Sequence, residues 1–276
     1  MSEQVTKLII EAGNTERNYW RDLFRYRELF YFLAWRDVLV RYKQTVIGVL
    51  WAVIRPLLTM LVFTFVFSRI AKLPAEGVPY PVMVFAAMLP WQLFATSLTE
   101  GSNSLINNSN LISKVYFPRL IVPASSIIVS FVDFAITMVL LAGLMVIYQV
   151  WPGWPILALP LFTILALLTS VGAGIWLAAL TVKYRDFRFV VPFIVQFGLY
   201  LSPVGFSSSI VPEKWRLLYS LNPMVGVIDG FRWAISKGQT PFPWLSLELS
   251  LVAVAALLVT GIWYFRKTER TFADII

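Results

Sequence analysis

The sequence contains no cysteine and no histidine among its 276 residues, and charged residues make up only 14% of it. Without cysteine, the chain can form neither a disulfide nor a thiolate nucleophile. Without histidine, it lacks the commonest general base and metal ligand. A soluble domain averages about 25% charged residues. These shortages argue against a soluble enzyme that relies on thiol, imidazole or metal chemistry.

Sequence patterns of the common catalytic sites are also missing. The chain has no G-x-x-x-x-G-K-[ST] motif, so it has no phosphate loop with which to bind ATP itself. It has no G-x-S-x-G motif, no paired carboxylates and no cluster with metal-ligand spacing, which disfavours an enzyme. We therefore predict no catalytic residue, no metal site and no cofactor bound by this chain.

Hydrophobic residues are abundant, at 58% of the chain, and they fall into long runs. This composition predicts an integral membrane protein. The net charge of +8 is distributed in clusters between the apolar runs, which indicates topology and contact with anionic lipids rather than nucleic acid. The first 19 residues carry charges throughout and lack an apolar core, so no cleavable signal peptide is expected.

Six apolar runs predict an all-α fold with about six transmembrane helices. They cover about residues 47–70, 80–98, 120–148, 156–182, 189–206 and 244–265. Basic residues precede the first run, follow the last and recur on alternate connections, which places both termini in the cytoplasm. The basic residues of the outer connection 207–243 disagree with this rule, and a re-entrant hairpin would reduce the conflict. They are Lys214, Arg216, Arg232 and Lys237.

Two domains are expected, a cytoplasmic segment over residues 1–46 and a transmembrane domain over 47–276. The pattern from Trp20 to Trp35 is helical, with arginines on one face and aromatic residues on the other. Such a helix is typical of the membrane interface. The alternative is a juxtamembrane helix packed on protein. Residues 1–19 receive no assignment.

The fifth run differs from the others because it is short and interrupted by Pro192 and Gly198. It follows a basic cluster and ends at Ser202-Pro203, where the pattern becomes irregular. Irregular backbone is tolerated at membrane depth only against protein or a water-filled cavity, so this stretch is expected to line a path. Four aromatic residues of the run share one helical face, which alternatively faces lipid or core. They are Phe189, Phe193, Phe197 and Tyr200.

Several motifs, in their order and spacing, resemble those of the ABC-2 type polysaccharide export permeases. The resemblance covers about Arg36 to the C-terminus. The matching segments are Gly48–Trp51, Arg55–Leu58, Asn110–Arg119, Lys183–Arg188, Ser202–Val204, Val211–Trp215, Leu221–Met224 and Gly230–Arg232.

The resemblance implies a permease subunit of an ATP-driven exporter in the bacterial inner membrane. Two copies of the chain would enclose a channel, and two copies of a separate ABC ATPase would bind ATP and Mg²⁺. The implied substrate is a lipid-linked polysaccharide, with O-antigen favoured and capsule or teichoic acid as alternatives. Two rivals are an ion-coupled flippase that depends on Asp133 or Glu248, and a membrane-bound glycosyl-transfer enzyme.

The resemblance also implies roles for particular residues. A coupling helix between spans two and three would dock on the ATPase, with contacts at Asn103, Asn107, Leu111 and Lys114 and further ones at Lys183 and Arg185. The alternative is an ordinary solvated loop. Cations at the inner mouth would bind the lipid diphosphate, because arginine matches phosphate oxygens. They are Arg36, Arg41, Lys43 and Arg55, whose alternative roles are topology, lipid contact and snorkelling.

Sugars stack on aromatic rings, so the aromatic face of the fifth run and three residues of span one are expected to line the channel. The span-one residues are Trp51, Phe63 and Phe67. The outer hairpin is expected to form a periplasmic gate that includes Pro203, Ser207 and Trp215. Ser207 to Ser209 alternatively cap a helix at Ile210.

Overall fold

The computed structural model describes residues 19–43, 48–75 and 77–272, and every regular element in those ranges is helical. The α-helices are α1 (Tyr19–Arg25), α2 (Arg27–Lys43), α3 (Gly48–Phe63), α4 (Tyr80–Asn107), α5 (Ser109–Lys114), α6 (Ile121–Ile147), α7 (Leu159–Lys183), α8 (Phe187–Leu201), α9 (Glu213–Ser220), α10 (Pro223–Ile235) and α11 (Trp244–Thr268). Helix α3 continues as a π-helix over Thr64–Ile70, and a 3₁₀ turn at Trp154–Ala158 leads into α7.

Five helical segments of the described ranges are long and apolar enough to cross a membrane. They are Leu50–Ile70, Tyr80–Asn107, Ile121–Ile147, Trp154–Lys183 and Trp244–Thr271. Helix α8 is apolar but has only 15 residues, fewer than the roughly 20 needed for a crossing. The chain is thus an all-α integral membrane protein. The fifth run, 189–206, was expected to break at Ser202-Pro203, and α8 does end at Leu201, directly before that break.

Helix α4 lies at the centre of the bundle. It packs against α6 and α7 over most of its length and also contacts α3, α8 and α10. Its side chains are buried on nearly every face from Tyr80 to Leu98, since they are apolar all round. Helices α3, α6, α7, α8 and α10 are therefore arranged around α4.

The buried side chains form two clusters, one at each end of the bundle. The larger surrounds the first half of α4. The smaller joins the ends of α4, α7 and α11 to α1, α2 and α5. We call its side of the molecule the basic end, because Lys183, Arg266 and Lys267 lie in the last turns of α7 and α11. The other side is called the opposite end.

Two predicted boundaries were wrong at the basic end. Span two was expected to finish near Leu98, but α4 continues to Asn107. Polar side chains of this extension bond back to carbonyls of the previous turn, as Asn103 does to Thr99 at 2.9 Å, so the helix tolerates them. The predicted interface helix from Trp20 to Trp35 is instead two helices, with a turn at Tyr26, and it extends to Lys43.

Helices α1 and α2 are covered by protein on one side and exposed on the other. Tyr19, Leu33 and Ala34 are buried against the bundle. A row of aromatic side chains stays exposed on the opposite side: Trp20, Phe24, Tyr31 and Trp35. One side of these helices therefore packs on protein, as the alternative from the sequence has it, and a position in the membrane interface stays a prediction for the exposed side.

Helices α9 and α10 fill the connection between α8 and α11 and differ in burial. Helix α10 is enclosed by α4, α7 and α11, whereas nearly all of α9 is exposed. Asn222 caps α10 by accepting a hydrogen bond from the Met224 N–H at 3.0 Å. Of the four cations in this connection, Lys214, Arg216 and Lys237 are exposed and Arg232 is buried.

Candidate functional site

The basic end presents a charged surface around α5 and the turn between α7 and α8. Buried Ile112 anchors α5 in the same cluster that contains Val182 at the end of α7, so the two segments share one end of the bundle. The side chains of Lys114, Val115 and Tyr116 point to solvent. The turn adds four consecutive exposed residues, which are Lys183, Tyr184, Arg185 and Asp186.

The predicted coupling residues differ in how far they are exposed on this surface. Asn107, Lys114, Lys183 and Arg185 are exposed. Asn103 is half-buried inside α4, and Leu111 packs against the cluster at the basic end. A short helix does follow span two, as expected, but it covers only Ser109–Lys114.

The four predicted inner-mouth cations are placed at different points along α2 and α3. Arg36 pairs with Asp37 at 2.6 Å and donates to the Asn108 side chain at 2.7 Å, so it ties α2 to the end of α4. Lys43 is exposed at the end of α2. Arg41 and Arg55 line one cavity of about 230 Å³ between α2, α3, α4 and α6. The structure therefore brings together two of the four.

This cavity, which we call the polar cavity, contains an ionic cluster. Arg41 pairs with Asp133 of α6 at 2.7 Å and with Glu100 of α4 at 3.1 Å. The Tyr42 hydroxyl donates to the other oxygen of Asp133. Burial and the contact with this carboxylate raise the pKa of the Tyr42 hydroxyl, which keeps it protonated as a donor. Asp133 is a lone acid in its apolar run in the sequence, but in the structure it has two partners, Arg41 and Tyr42.

The remaining walls of the polar cavity mix charge with neutral hydrogen-bonding groups. Arg55 lies over the ring of Trp51, with 5.9 Å between the guanidinium carbon and the ring centroid. The neutral polar residues of the lining are Gln92, Thr96, Ser130 and Thr137. Arg41 is already paired with two carboxylates, and the Thr96 and Thr137 hydroxyls donate to backbone carbonyls. Arg55 has no ion pair among the described residues, so it is the guanidinium of this lining that best suits an anion such as a phosphate group.

An aromatic cleft of about 700 Å³ lies on the other side of α4, between α4, α8 and α9. Phe193 and Phe197 of α8 form one wall, with ring centroids 4.2 Å apart. Trp91 and Phe94 of α4 form the floor, and Trp215 and Tyr219 of α9 the far wall. Aromatic rings offer flat apolar faces with few hydrogen-bonding groups, so the cleft can stack planar or apolar groups without holding them tightly.

The four predicted aromatic residues of α8 share one face, and all are more than half exposed, from 52% at Phe197 to 79% at Phe189. Sequence reasoning missed Trp91 and Phe94. Their signal was weak, because aromatic residues are common in apolar runs. Gly198 explains the contact: a Cβ there would meet the Trp91 ring at 2.6 Å, so only glycine lets α8 lie so close to α4.

The three predicted channel residues of span one do not join the cleft. Trp51 lines the polar cavity with Arg55. Phe63 and Phe67 stack on each other with centroids 5.5 Å apart, and the Phe67 ring packs on Gly205 in the loop after α8.

The predicted gate residues are divided between a buried loop and an exposed helix. Pro203 and Ser207 are buried, and the Ser207 hydroxyl accepts a hydrogen bond from the Ser209 N–H at 3.1 Å, which is the capping alternative from the sequence. Trp215 is exposed on α9. Sequence reasoning missed the buried Arg232 and Tyr80, which bind the same loop, since burial of a polar side chain depends on neighbours far along the chain.

Comparison with known proteins extends over nearly the whole chain. A family model described as ABC-2 type transporter matches residues 28–236. A relative from Myxococcus xanthus, named O-antigen export system permease protein RfbA, is 28% identical over 263 residues, which cover 93% of this chain and 98% of that protein. A protein of the same name from Klebsiella pneumoniae is 28% identical over 243 residues, or 87% and 92% of the two chains. The polysialic acid transport protein KpsM of Escherichia coli is 19% identical over 235 residues, or 85% and 91%.

Proposed function

The chain belongs to the ABC-2 type transporter family, and we propose that it is the permease subunit of an ATP-driven exporter of lipid-linked polysaccharide. O-antigen is the favoured substrate. The observation that carries this proposal is the match to two O-antigen export permeases along nearly their full length. Capsular polysaccharide is the second candidate, since KpsM is a more distant relative.

The proposal divides the work between this chain and a separate ATPase. This chain has no phosphate loop, so ATP and Mg²⁺ bind to two copies of an ABC ATPase. The surface around α5 and the α7–α8 turn is the docking site, with Lys114, Lys183 and Arg185 as its cationic contacts. Helix α5 is continuous with the buried core through Ile112, so a displacement imposed by the ATPase reaches the spanning helices.

The assembly contains two copies of this chain in the inner membrane, with both termini in the cytoplasm. The basic end then faces the cytoplasm, in agreement with the positive-inside rule. The hairpin of α9 and α10 re-enters from the periplasmic side, and Trp215 belongs to its outer gate. The two copies enclose the channel, with the aromatic face of α8 as one of its walls.

The substrate would contact the polar cavity and the aromatic cleft in different ways. The lipid diphosphate binds near Arg41 and Arg55, because guanidinium groups bind phosphate oxygens in a bidentate manner. Arg36 and Lys43 add positive charge at the mouth. The sugar units slide over Phe189, Phe193, Phe197 and Tyr200, whose rings stack on them without fixing one position.

An ion-coupled flippase is less well supported by the geometry. Such a carrier would use Asp133 or Glu248 as an ion-binding group. Asp133 is instead occupied by Arg41 and Tyr42, and Glu248 is exposed on the second turn of α11.

The test is purification of this chain together with the ABC ATPase that accompanies it, followed by mass determination of the complex and an ATPase assay. The expected result is a complex of two permease and two ATPase chains whose ATP hydrolysis increases with lipid-linked glycan. A chain that purifies alone and moves glycan down an ion gradient would refute the proposal. Reconstitution with O-antigen and capsular substrates separates the two candidates.

A further inference from the structure

The loop that follows α8 has all three of its central carbonyl groups bound by side chains from other helices. Arg232 of α10 donates from Nη1 to the Phe206 carbonyl at 2.6 Å and from Nη2 to the Val204 carbonyl at 3.1 Å. The Tyr80 hydroxyl of α4 donates to the Gly205 carbonyl at 2.6 Å. Three consecutive carbonyls of irregular backbone are thus held by α4 and α10.

The same loop is buried and makes two further contacts. Ser202 and Val204 have no exposed surface, and Arg232 is only 3% exposed. The Asn222 amide donates to the Ser202 hydroxyl at 3.0 Å. On the other side, the Phe67 ring lies so close to Gly205 that an added Cβ would approach it to 2.3 Å. Residues from the π-helix after α3, from α4 and α10, and from the α9–α10 junction therefore enclose the loop.

These contacts make movement of the loop costly. A buried carbonyl without a donor loses free energy comparable to a lost hydrogen bond. A buried guanidinium is tolerated only while its donors are used. Pulling the loop away from α10 would break both arginine bonds together and leave the Val204 and Phe206 carbonyls without these donors. The loop and α10 are thus expected to move as one body.

Helix α9 has the opposite character. All of its residues from Glu213 to Leu218 are exposed, and it packs mainly against α10 and α11, where the Ser220 and Ser246 hydroxyls share a hydrogen bond at 2.9 Å. It can tilt without breaking a buried hydrogen bond of the loop.

We propose that residues 202–206 form a fixed anchor for the outer end of α8, that Arg232 and Tyr80 are its positioning residues, and that α9 is the part of the outer hairpin that moves during transport. The anchor fixes where the aromatic face of α8 stands relative to α4. Its part in transport depends on the exporter function proposed above, but its rigidity does not.

The first test uses the absence of native cysteine, which gives a clean background for a single thiol. Val204→Cys replaces a fully buried side chain of the anchor, and Leu217→Cys replaces a 61% exposed side chain of α9. In lipid nanodiscs with the ATPase, a water-soluble maleimide should label Leu217→Cys quickly and leave Val204→Cys unlabelled, both at rest and during ATP hydrolysis. Labelling of Val204→Cys at rest or on adding ATP would overturn the anchor.

The positioning residues are tested by adding a second change to Val204→Cys. Arg232→Gln should make the thiol reactive, Arg232→Lys should give partial protection, and Tyr80→Phe should give a smaller increase because it removes one hydroxyl and keeps the ring. Tyr80→Phe also serves if Arg232→Gln lowers the yield of the complex. Unchanged protection in both Arg232→Gln and Tyr80→Phe would refute their role.

The second test asks whether the loop moves during export. Ser202→Cys with Asn222→Cys places two thiols where two side chains now share a hydrogen bond, and oxidation or a short bifunctional thiol reagent joins them. A fixed anchor predicts that the cross-linked protein exports as well as its reduced form, whereas a gate in this loop predicts that cross-linking stops export. If the reduced protein and the unmodified chain export no glycan, the proposed function fails, and the maleimide test still decides whether the anchor exists.

Arg232→Gln without a cysteine measures the cost of a loose anchor. We expect export to fall by about tenfold or more, because a lost hydrogen bond to a charged group is equivalent to about one decade in an equilibrium constant or more. ATP hydrolysis should continue, so the ATP consumed for each exported glycan rises, and Arg232→Lys should recover part of the coupling. Unaltered export in Arg232→Gln would contradict the proposal.

Discussion

At the scale of single residues, the contacts of Asp133 in the structure change the role that the sequence suggests for it. In the sequence it is an acid within an apolar run, which is typical of ion-coupled carriers. In the structure its carboxylate joins α6 to α2 through Arg41 and Tyr42. Its side chain is 15% exposed, while that of Glu100, the other partner of Arg41, is 42% exposed.

Asp133→Asn should therefore destabilise the fold more than Glu100→Gln. We expect the free energy of unfolding to decrease by about 1.5–3 kcal/mol for Asp133→Asn, the range for hydrogen bonds to charged groups. For Glu100→Gln we expect less than about 1 kcal/mol, as for other exposed ion pairs. Thermal unfolding of the purified chain in detergent measures both changes. Equal decreases in the free energy of unfolding would show that the ion pair of Asp133 between α2 and α6 stabilises the fold no more than the exposed pair of Glu100.

At the scale of helices, the structure shows why some predicted boundaries were right and others were not. Spans three and six end within a few residues of their predictions, because their apolar runs end where charges and turns begin. Span two continues beyond its apolar run, because Asn103 and Ser104 bond to carbonyls within the helix. Burial of α5 through Ile112 also depends on residues far away in the sequence.

Helices α7 and α11 approach each other so closely that glycine is required at their crossing. A Cβ on Gly172 would meet the Leu258 backbone nitrogen at 2.9 Å, and one on Gly261 would meet the Gly172 carbonyl oxygen at 2.6 Å. Backbone atoms cannot turn aside as a flexible side chain can. Gly172→Ala should therefore separate the helices and lower the free energy of unfolding by about 1–3 kcal/mol, as other overpacked sites do.

The control for this change is Gly143→Ala in α6, where an added Cβ meets no atom within 4 Å. Alanine is the better helix former, so this variant should be unchanged or more stable by up to about 1 kcal/mol. Thermal unfolding in detergent compares the two variants. A similar loss of stability in both would contradict the close approach of α7 and α11.

Changes in the aromatic face of α8 are expected to impair transport without impairing folding. Phe193 and Phe197 are exposed, so replacing both with alanine should leave the yield and ATPase binding unchanged. Export should fall several-fold, because each aromatic contact is worth about 0.5–1.5 kcal/mol beyond the area it buries. Trp263→Ala on the exposed side of α11 is the matched control and should export normally. Normal export by the double variant would show that the aromatic face of α8 does not line the channel.

At the scale of the whole molecule, the basic end exposes a group of positively charged side chains that could bind a partner protein. The surface at the basic end presents exposed Lys114, Lys183, Arg185 and Arg188, with Asp186 as the acid among the turn residues. A surface with an excess of positive charge attracts a negatively charged partner over about a Debye length, roughly 8–10 Å near physiological salt. The docking face of the ATPase is therefore expected to be acidic.

This predicts that the complex with the ATPase weakens as salt rises. Lys183→Glu with Arg185→Glu should reduce the association about tenfold or more at low salt and remove most of its salt dependence. Lys214→Glu, on α9 at the opposite end, is the control and should change neither quantity. Binding measured over a series of salt concentrations checks the prediction. A complex that is indifferent to salt and to these changes would place the docking surface elsewhere.

The sequence by itself determined the membrane class, the helical fold, most of the span positions and the aromatic face of α8. These properties depend on the composition and periodicity of local segments, because each segment that crosses a bilayer must be apolar and must satisfy its own backbone hydrogen bonds. The tertiary structure alone decided that Arg41 and Arg55 share a cavity, that Asp133 is paired, and that Arg232 binds the loop after α8. Each of these joins residues that are far apart in the sequence, since the packing of α3, α6, α8 and α10 around α4, and of α2 on α6, sets which polar side chains meet.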